Sequence, residues 1–161
     1  MREMFNAQRP TLLHLVLYQP EIPHNTGAVG RLCVGLGCEL HLIRPLGFQL
    51  ADRYLQRAGM DYWPQVRLTL HDSWADFLES VNPPQLFLLS TQGGKSLYDA
   101  RFAPGAALVF GSESRGLPPE LHALYREHLF KIPMPGEQAR SLNLANAVAI
   151  AAYEAYRQIE L

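Results

Sequence analysis

The chain reads as an α/β protein: a single domain built on one mostly parallel sheet with helices on both faces. Short, nearly continuous apolar runs recur at 12–18, 40–43, 86–89 and 107–110. Such runs mark strands buried on both faces, as strands of parallel sheets are. Segments with helical spacing of apolar residues lie between them, and alternation of strand and helix favours parallel pairing. Polar loops, rich in glycine or proline, follow apolar strands after Leu89, Phe110 and Ile132. Open α/β sheets bind their ligands beyond the carboxyl ends of the strands, so these loops are expected to form one site in the C-terminal half.

Taken in order, residues 1–10 (MREMFNAQRP) read as a polar tail ahead of one domain at 11–161. The first strand, Leu12 to Tyr18, leads into a turn containing two prolines, Asn25 and Gly27. A helix is expected from about Ala28, with Val29, Leu32, Cys33 and Leu36 as its buried stripe and glycines 35 and 37 at its end. Leu40 to Ile43 is the second strand. Residues 44–65 read as loop and short helix with Arg44, Arg53 and Arg57, and Val66 to Leu70 as an edge strand. A helix follows with Asp72 or Ser73 as its N-cap and Trp74, Phe77 and Leu78 turned inward, and Asn82-Pro83-Pro84 ends it. Leu86–Leu89 and Ala107–Phe110 are strands, and Pro118 to Tyr125 is a helix. Phe130, Ile132 and Met134 alternate with Lys131 and Pro133 as a strand end does, until Pro133, Pro135 and Gly136 break the pattern. Ser141 is the expected N-cap of a last helix starting near Leu142.

That last helix carries apolar residues on more than one face. Leu142, Ala145, Ala149, Ala152, Tyr153, Tyr156 and Ile159 follow helical spacing on one side, and Leu144, Ala147, Val148, Ala151 and Ala155 on another. A surface helix of a monomer shows one apolar stripe. A two-fold homodimer through this C-terminal helix and the helix at 28–37 is therefore expected.

Composition excludes several classes of function. At 161 residues and 48% hydrophobic content the chain can bury one sizeable core. Its 14 basic and 15 acidic residues give no broad attraction for nucleic acid or anionic lipid, so RNA binding would rest on a few placed arginines. No apolar run is long enough to span a membrane, and the first residues lack a signal-peptide core, which predicts a cytoplasmic protein. Cys33 and Cys38 lie beside apolar residues with no Cys/His cluster, and read as buried free thiols. The six histidines are scattered, none in HxxxH-like spacing, so no metal is expected. His14, inside an apolar strand, reads as a core residue.

The common nucleotide fingerprints are missing. There is no GxxxxGK[ST], and QPEIPHNTG follows the first strand in place of a GxGxxG turn. No GxSxG elbow or grouping of Ser, His and Asp suits nucleophilic catalysis. Three segments combine glycine, asparagine and arginine near strand ends: NTGAVGR at 25–31, FGSESRGLP at 110–118 and IPMPGEQARSLNLANAV at 132–148.

In this order and spacing the three segments resemble the motifs of the SPOUT class of RNA methyltransferases. The match is closest to the small single-domain family that 2′-O-methylates the wobble nucleotide of tRNA. The resemblance runs from about Leu13 to Gln158 and includes LVLYQPEIPHNTG, RPLGF, RAGMDY and LFLLST. It implies a C-terminal trefoil knot, which general topology rules would not suggest. It also implies S-adenosyl-L-methionine as cofactor, touched by Leu89, Gly111, Ile132 and Ser141, with Met134 and Leu142 walling the adenine. Arg31 matches the catalytic arginine, and Asn25 would hold the turn that aims it. Because arginine stays protonated, Arg31 is read as steadying the developing alkoxide rather than as a simple base. Glu113 is read as fixing loop 111–116 or pairing with an arginine. Arg115 and Arg140 would contact phosphates of the tRNA anticodon region. The implied reaction is methyl transfer to the ribose 2′-OH of nucleotide 34, cytidine or modified uridine. Another tRNA or rRNA position, a non-catalytic RNA-binding module and an unrelated nucleotide-binding enzyme remain as competing readings.

Overall fold

The computed structural model describes residues 11–161, so the polar tail expected at 1–10 lies outside the described residues. Its strands are β1 (Leu13–Tyr18), β2 (Glu39–Ile43), β3 (Leu68–His71), β4 (Leu86–Leu89), β5 (Lys95–Ser96), β6 (Ala106–Phe110) and β7 (Leu129–Lys131). They form one seven-stranded sheet in the order β3-β2-β1-β6-β4-β7-β5, and every pairing is parallel. The helices are α1 (Pro23–Leu36), α2 (Arg53–Gly59), α3 (Trp74–Val81), α4 (Pro119–Leu124) and α5 (Leu144–Glu160).

Side-chain alternation in β1 shows why the sheet must be covered twice. Leu13, Leu15 and Leu17 face one layer, where they join Val29 and Cys33 of α1 and Leu144, Val148, Ala151, Ala152 and Ala155 of α5. Val16 points the other way, into a cluster with Ile43, Leu88, Val109, Phe77 of α3 and Leu121 of α4. All of β6 is buried, as a central parallel strand requires. Burial raises the Cys33 thiol well above its ordinary range and pushes Cys38 up to about 12, so both are inert free thiols.

Several boundaries differ from the sequence reading. α1 begins at Pro23 rather than near Ala28: proline at the first helical position lacks only an N–H that would have no intrahelical acceptor. Asn25 therefore sits in the first helical turn and not in a preceding loop. β7 stops at Lys131, leaving Ile132 and Met134 in the following loop, because Pro133 has no amide to donate to a ladder. Ser141 does not cap α5. Asn143 does, its Oδ1 accepting the Asn146 amide at 3.1 Å, and Leu142 lies in the approach to the helix. Ser73 caps α3. The two-residue β5 carried no periodic signal that a sequence could show.

The two apolar faces assigned to α5 are also redistributed. Ala151 and Ala152 are both at 0% exposure inside the subunit core, and the outward apolar residues are Ile150 at 36% and Tyr153 at 52%. A charge at Ala151 would break the subunit before it broke an interface. The histidines are not scattered in space: His14, His41 and His71 stand side by side across β1, β2 and β3. Among the described residues no helix is long and apolar enough to cross a membrane.

Phe77 is fully buried and meets His41 and His71 edge-on at 5.5 and 5.4 Å between ring centroids. Phe77→Ala should lower stability by about 3–5 kcal/mol, read as a shift in the urea midpoint.

Candidate active site

A cleft of about 1150 Å³ opens at the carboxyl ends of β4, β6 and β7. β4 ends in Leu89, Gly111 directly follows β6, and Ile132 and Met134 follow β7. Ser141 and Leu142 lie where the chain turns into α5. All six line the cleft, as do Asn25 and Arg115. Arg31 and Arg140 do not belong to that lining. The six positions are thus brought together, and the two arginines are held apart from them.

The cleft takes its shape from hydrogen bonds among segments far apart in sequence. The residue before α1, Ile22, has no side chain able to cap the helix, and the first turn holds no acid. Glu113, in the loop after β6, supplies the missing acceptor. Its Oε1 accepts the Glu21 amide at 2.9 Å, and its Oε2 accepts the Ile22 amide at 2.7 Å and Asn25 Nδ2 at 3.3 Å. An anionic acceptor at the positive end of a helix is favourable both as a hydrogen-bond partner and through the helix dipole. Glu21 returns the contact. Its Oε1 accepts the Ser114 amide at 3.1 Å and the Ser114 hydroxyl at 2.6 Å, and these bonds hold the Glu21 carboxyl below the usual carboxylate range. Asn25 Oδ1 in turn accepts Asn143 Nδ2 at 3.0 Å. The chain of bonds therefore runs from loop 111–116 through α1 to the cap of α5.

Gly111 is required by the backbone itself. A Cβ there would overlap the Gly116 carbonyl group and the Leu117 nitrogen, because the loop doubles back through paired Ser112 and Gly116 amide–carbonyl bonds of 3.3 and 2.9 Å. Substituting Gly111 would therefore disturb the loop before it filled any ligand space.

Two lining residues escaped the sequence reading. His122 Nδ1 donates to the Pro118 carbonyl at 3.2 Å, which leaves Nε2 to accept from the Ser90 hydroxyl at 2.9 Å. Arg126 joins it in the lining. Their position depends on how α4 docks beside β4 and β7, which no local pattern encodes. Arg31 is exposed on α1, its Nη1 donating to the Met60 sulfur at 2.9 Å and its guanidinium lying 5.8 Å from the Tyr62 ring centroid. Glu113→Ala should cost about 1.5–3 kcal/mol, the usual range for hydrogen bonds to a charged group. Chemical denaturation read by tryptophan fluorescence would measure it.

Comparison with known proteins places this geometry. The model of the SpoU rRNA Methylase family matches residues 12–153. A tRNA (cytidine(34)-2′-O)-methyltransferase of Escherichia coli K12 is 46% identical over 149 residues, 92% of this chain and 94% of its own. A structure solved in work on the 2-OH methylation of C/U34 on tRNA superposes with a TM-score of 0.87 at 59% identity, covering 93% of this chain and 97% of the other. The SpoU methyltransferase AviRb of Streptomyces viridochromogenes, solved in complex with AdoMet, gives 0.82 at 25% identity, covering 93% of this chain and 58% of that one. Family model, curated relative and solved structures agree across nearly the whole described chain: it belongs to the SpoU methylase family.

Proposed function

We propose that this chain transfers a methyl group from S-adenosyl-L-methionine to the ribose 2′-OH of nucleotide 34, cytidine or modified uridine, in tRNA. The observation that carries the reading is the convergence of its three motif segments on one cleft, tied by the Glu113–Asn25–Asn143 hydrogen bonds. The names of the relatives at 44–48% identity supply the position.

The lining fits such a cofactor. Leu89, Ile132, Met134 and Leu142 give apolar walls for a flat base, beside the backbone-rich loops 111–116 and 132–143 that can meet polar edges. The Glu113 carboxylate is already occupied by two amides and the Asn25 side chain. When bound, the cofactor supplies a methyl group made electrophilic by its sulfonium. Leu89, Gly111, Ile132 and Ser141 hold it, and Met134 and Leu142 flank its adenine. Asn25 orients the first turn of α1. Arg31 steadies negative charge growing on the 2′-oxygen and on the neighbouring phosphate, with the oxygen held in line for displacement. Arg115 and Arg140 contact phosphates of the anticodon region.

A homodimer belongs to the same reading, because Arg31 lies outside its own subunit's cleft. Exposed Met60 and Tyr62 beside Arg31, and Ile150 and Tyr153 on α5, support an interface there, with Arg31 of one subunit facing the cleft of the other. A trefoil knot at the C-terminal end belongs to the reading as well, and the packing of α5 on α1, β1 and β6 supports it. The setting is the cytoplasm, where tRNA is modified.

Incubation with tRNA and S-adenosyl-L-methionine, followed by nucleoside mass spectrometry, should give 2′-O-methylation at position 34, and methylation at another position would overturn the assignment. Arg31→Lys keeps the charge but loses the planar fork. It should cost on the order of 100-fold in single-turnover rate while cofactor affinity, read by calorimetry, is retained. Ile150→Glu should yield a folded monomer without activity in sedimentation and turnover assays. A fully active monomer would remove the shared site.

A further inference from the structure

At the amino ends of β1 and β2, on the sheet edge opposite the cleft, three ligand-type atoms converge. His14 Nδ1, Glu39 Oε2 and His41 Nε2 are separated by 2.9 Å between the two nitrogens and by 3.4 and 3.7 Å from each nitrogen to the carboxylate. The parallel register sets this up by placing His14 opposite Glu39, with His41 on the same face of β2.

The hydrogen-bond network assigns the protons. The Ser80 hydroxyl donates to the Asp76 carbonyl at 2.6 Å, so toward His71 Nδ1, 3.5 Å away, it offers only a lone pair. His71 is then protonated on Nδ1, and its Nε2 accepts from His41 Nδ1 at 2.9 Å. That leaves His41 Nε2 as a bare acceptor. It faces an anionic oxygen and His14 Nδ1, with at most one proton shared among the three atoms. Thr11 Oγ1 donates to Glu39 Oε1 at 2.8 Å, with Arg67 Nη1 3.7 Å from the same oxygen, which turns Oε2 toward the imidazoles.

Three electron-rich atoms with one proton between them suit a cation. We infer that His14, Glu39 and His41 form a binding site for a divalent transition-metal ion of the Zn²⁺ type, separate from the methyl-transfer cleft. Zinc bonds of ~2.0–2.2 Å in tetrahedral array place ligand atoms ~3.3–3.5 Å apart, and the three observed separations bracket that spacing. The His41–His71 bond is the outer-shell contact that holds a ligating imidazole in the correct tautomer. Binding requires one rearrangement, transfer of the His14 ring proton from Nδ1 to Nε2, with no net proton change. Side-chain exposure of 15% at His14 and 30% at Glu39, against 3% at His41, gives the ion an entry side and leaves a fourth position for water.

Full-length untagged protein, dialysed against chelator, should bind one Zn²⁺ per chain in calorimetry. Co²⁺ in its place should show the intense visible absorption of four-coordinate geometry. Glu39→Gln, which keeps shape and removes charge, and His14→Asn, at the more exposed ligand, should each weaken binding tenfold or more. Both variants should retain wild-type circular dichroism and S-adenosyl-L-methionine affinity. Absence of stoichiometric Zn²⁺ binding, or equal affinity in wild type and both folded variants, would overturn the site.

Discussion

The candidate active site depends on one carboxylate. Glu113 lies 91 residues beyond Ile22 in the chain, yet it accepts the amide of that residue and of Glu21. Without it the start of α1 would present amides with no acceptor, since neither Ile22 nor the first turn can supply one. Asn25 would also lose one of its two partners, and Asn143, which caps α5, bonds to Asn25 through its Nδ2. Loop 111–116, α1 and α5 are therefore coupled members of one network, and bonds in such a network reinforce each other.

The sheet makes that coupling possible. β1 and β6 are neighbours, so the loops leaving their carboxyl ends, which carry Glu21 and Glu113, meet directly. β4 lies between β6 and β7, which sets loop 90–94 beside the segment leading to α5. The result is a cleft with apolar side chains on its walls and turning backbone around its mouth. Such a lining recognises shape and polar edges. It does not need the concentrated positive charge of a phosphate-binding loop, and a chain of net charge −1 can build it.

The sequence disclosed the sheet because a strand buried on both faces is apolar along its length, as β4 and β6 are and as β1 is except at His14. It disclosed the three loops through their place after strands, and the six cleft positions through their likeness to known motifs. Helix starts were less legible. Pro23 looked like a turn residue, although at the first helical position it begins α1, and Asn143 rather than Ser141 took the cap of α5. His122 and the histidine row of β1 to β3 were illegible for a different reason. Each arises from register between strands or docking between elements, so residues 27 and 30 positions apart come to hydrogen-bond distance. No spacing rule within one segment reports that.

The division between Asn25 and Arg31 follows from helix geometry. Six residues along an α-helix advance ~9 Å and rotate the side chain to about 120° from its starting direction. α1 is straightforwardly helical across both positions, and Asn25 is committed to its own cleft by bonds to Glu113 and Asn143. Arg31 must then point elsewhere, and it is found exposed beside Met60 and Tyr62. Within one subunit α1 thus gives Asn25 to the cleft and Arg31 to the outer surface. In the proposed two-fold dimer each α1 would secure its own cleft with Asn25 and serve its neighbour's with Arg31. On this reading the dimer is part of the catalytic geometry, and the apolar residues left outward on α5 become the seam that holds two incomplete sites together.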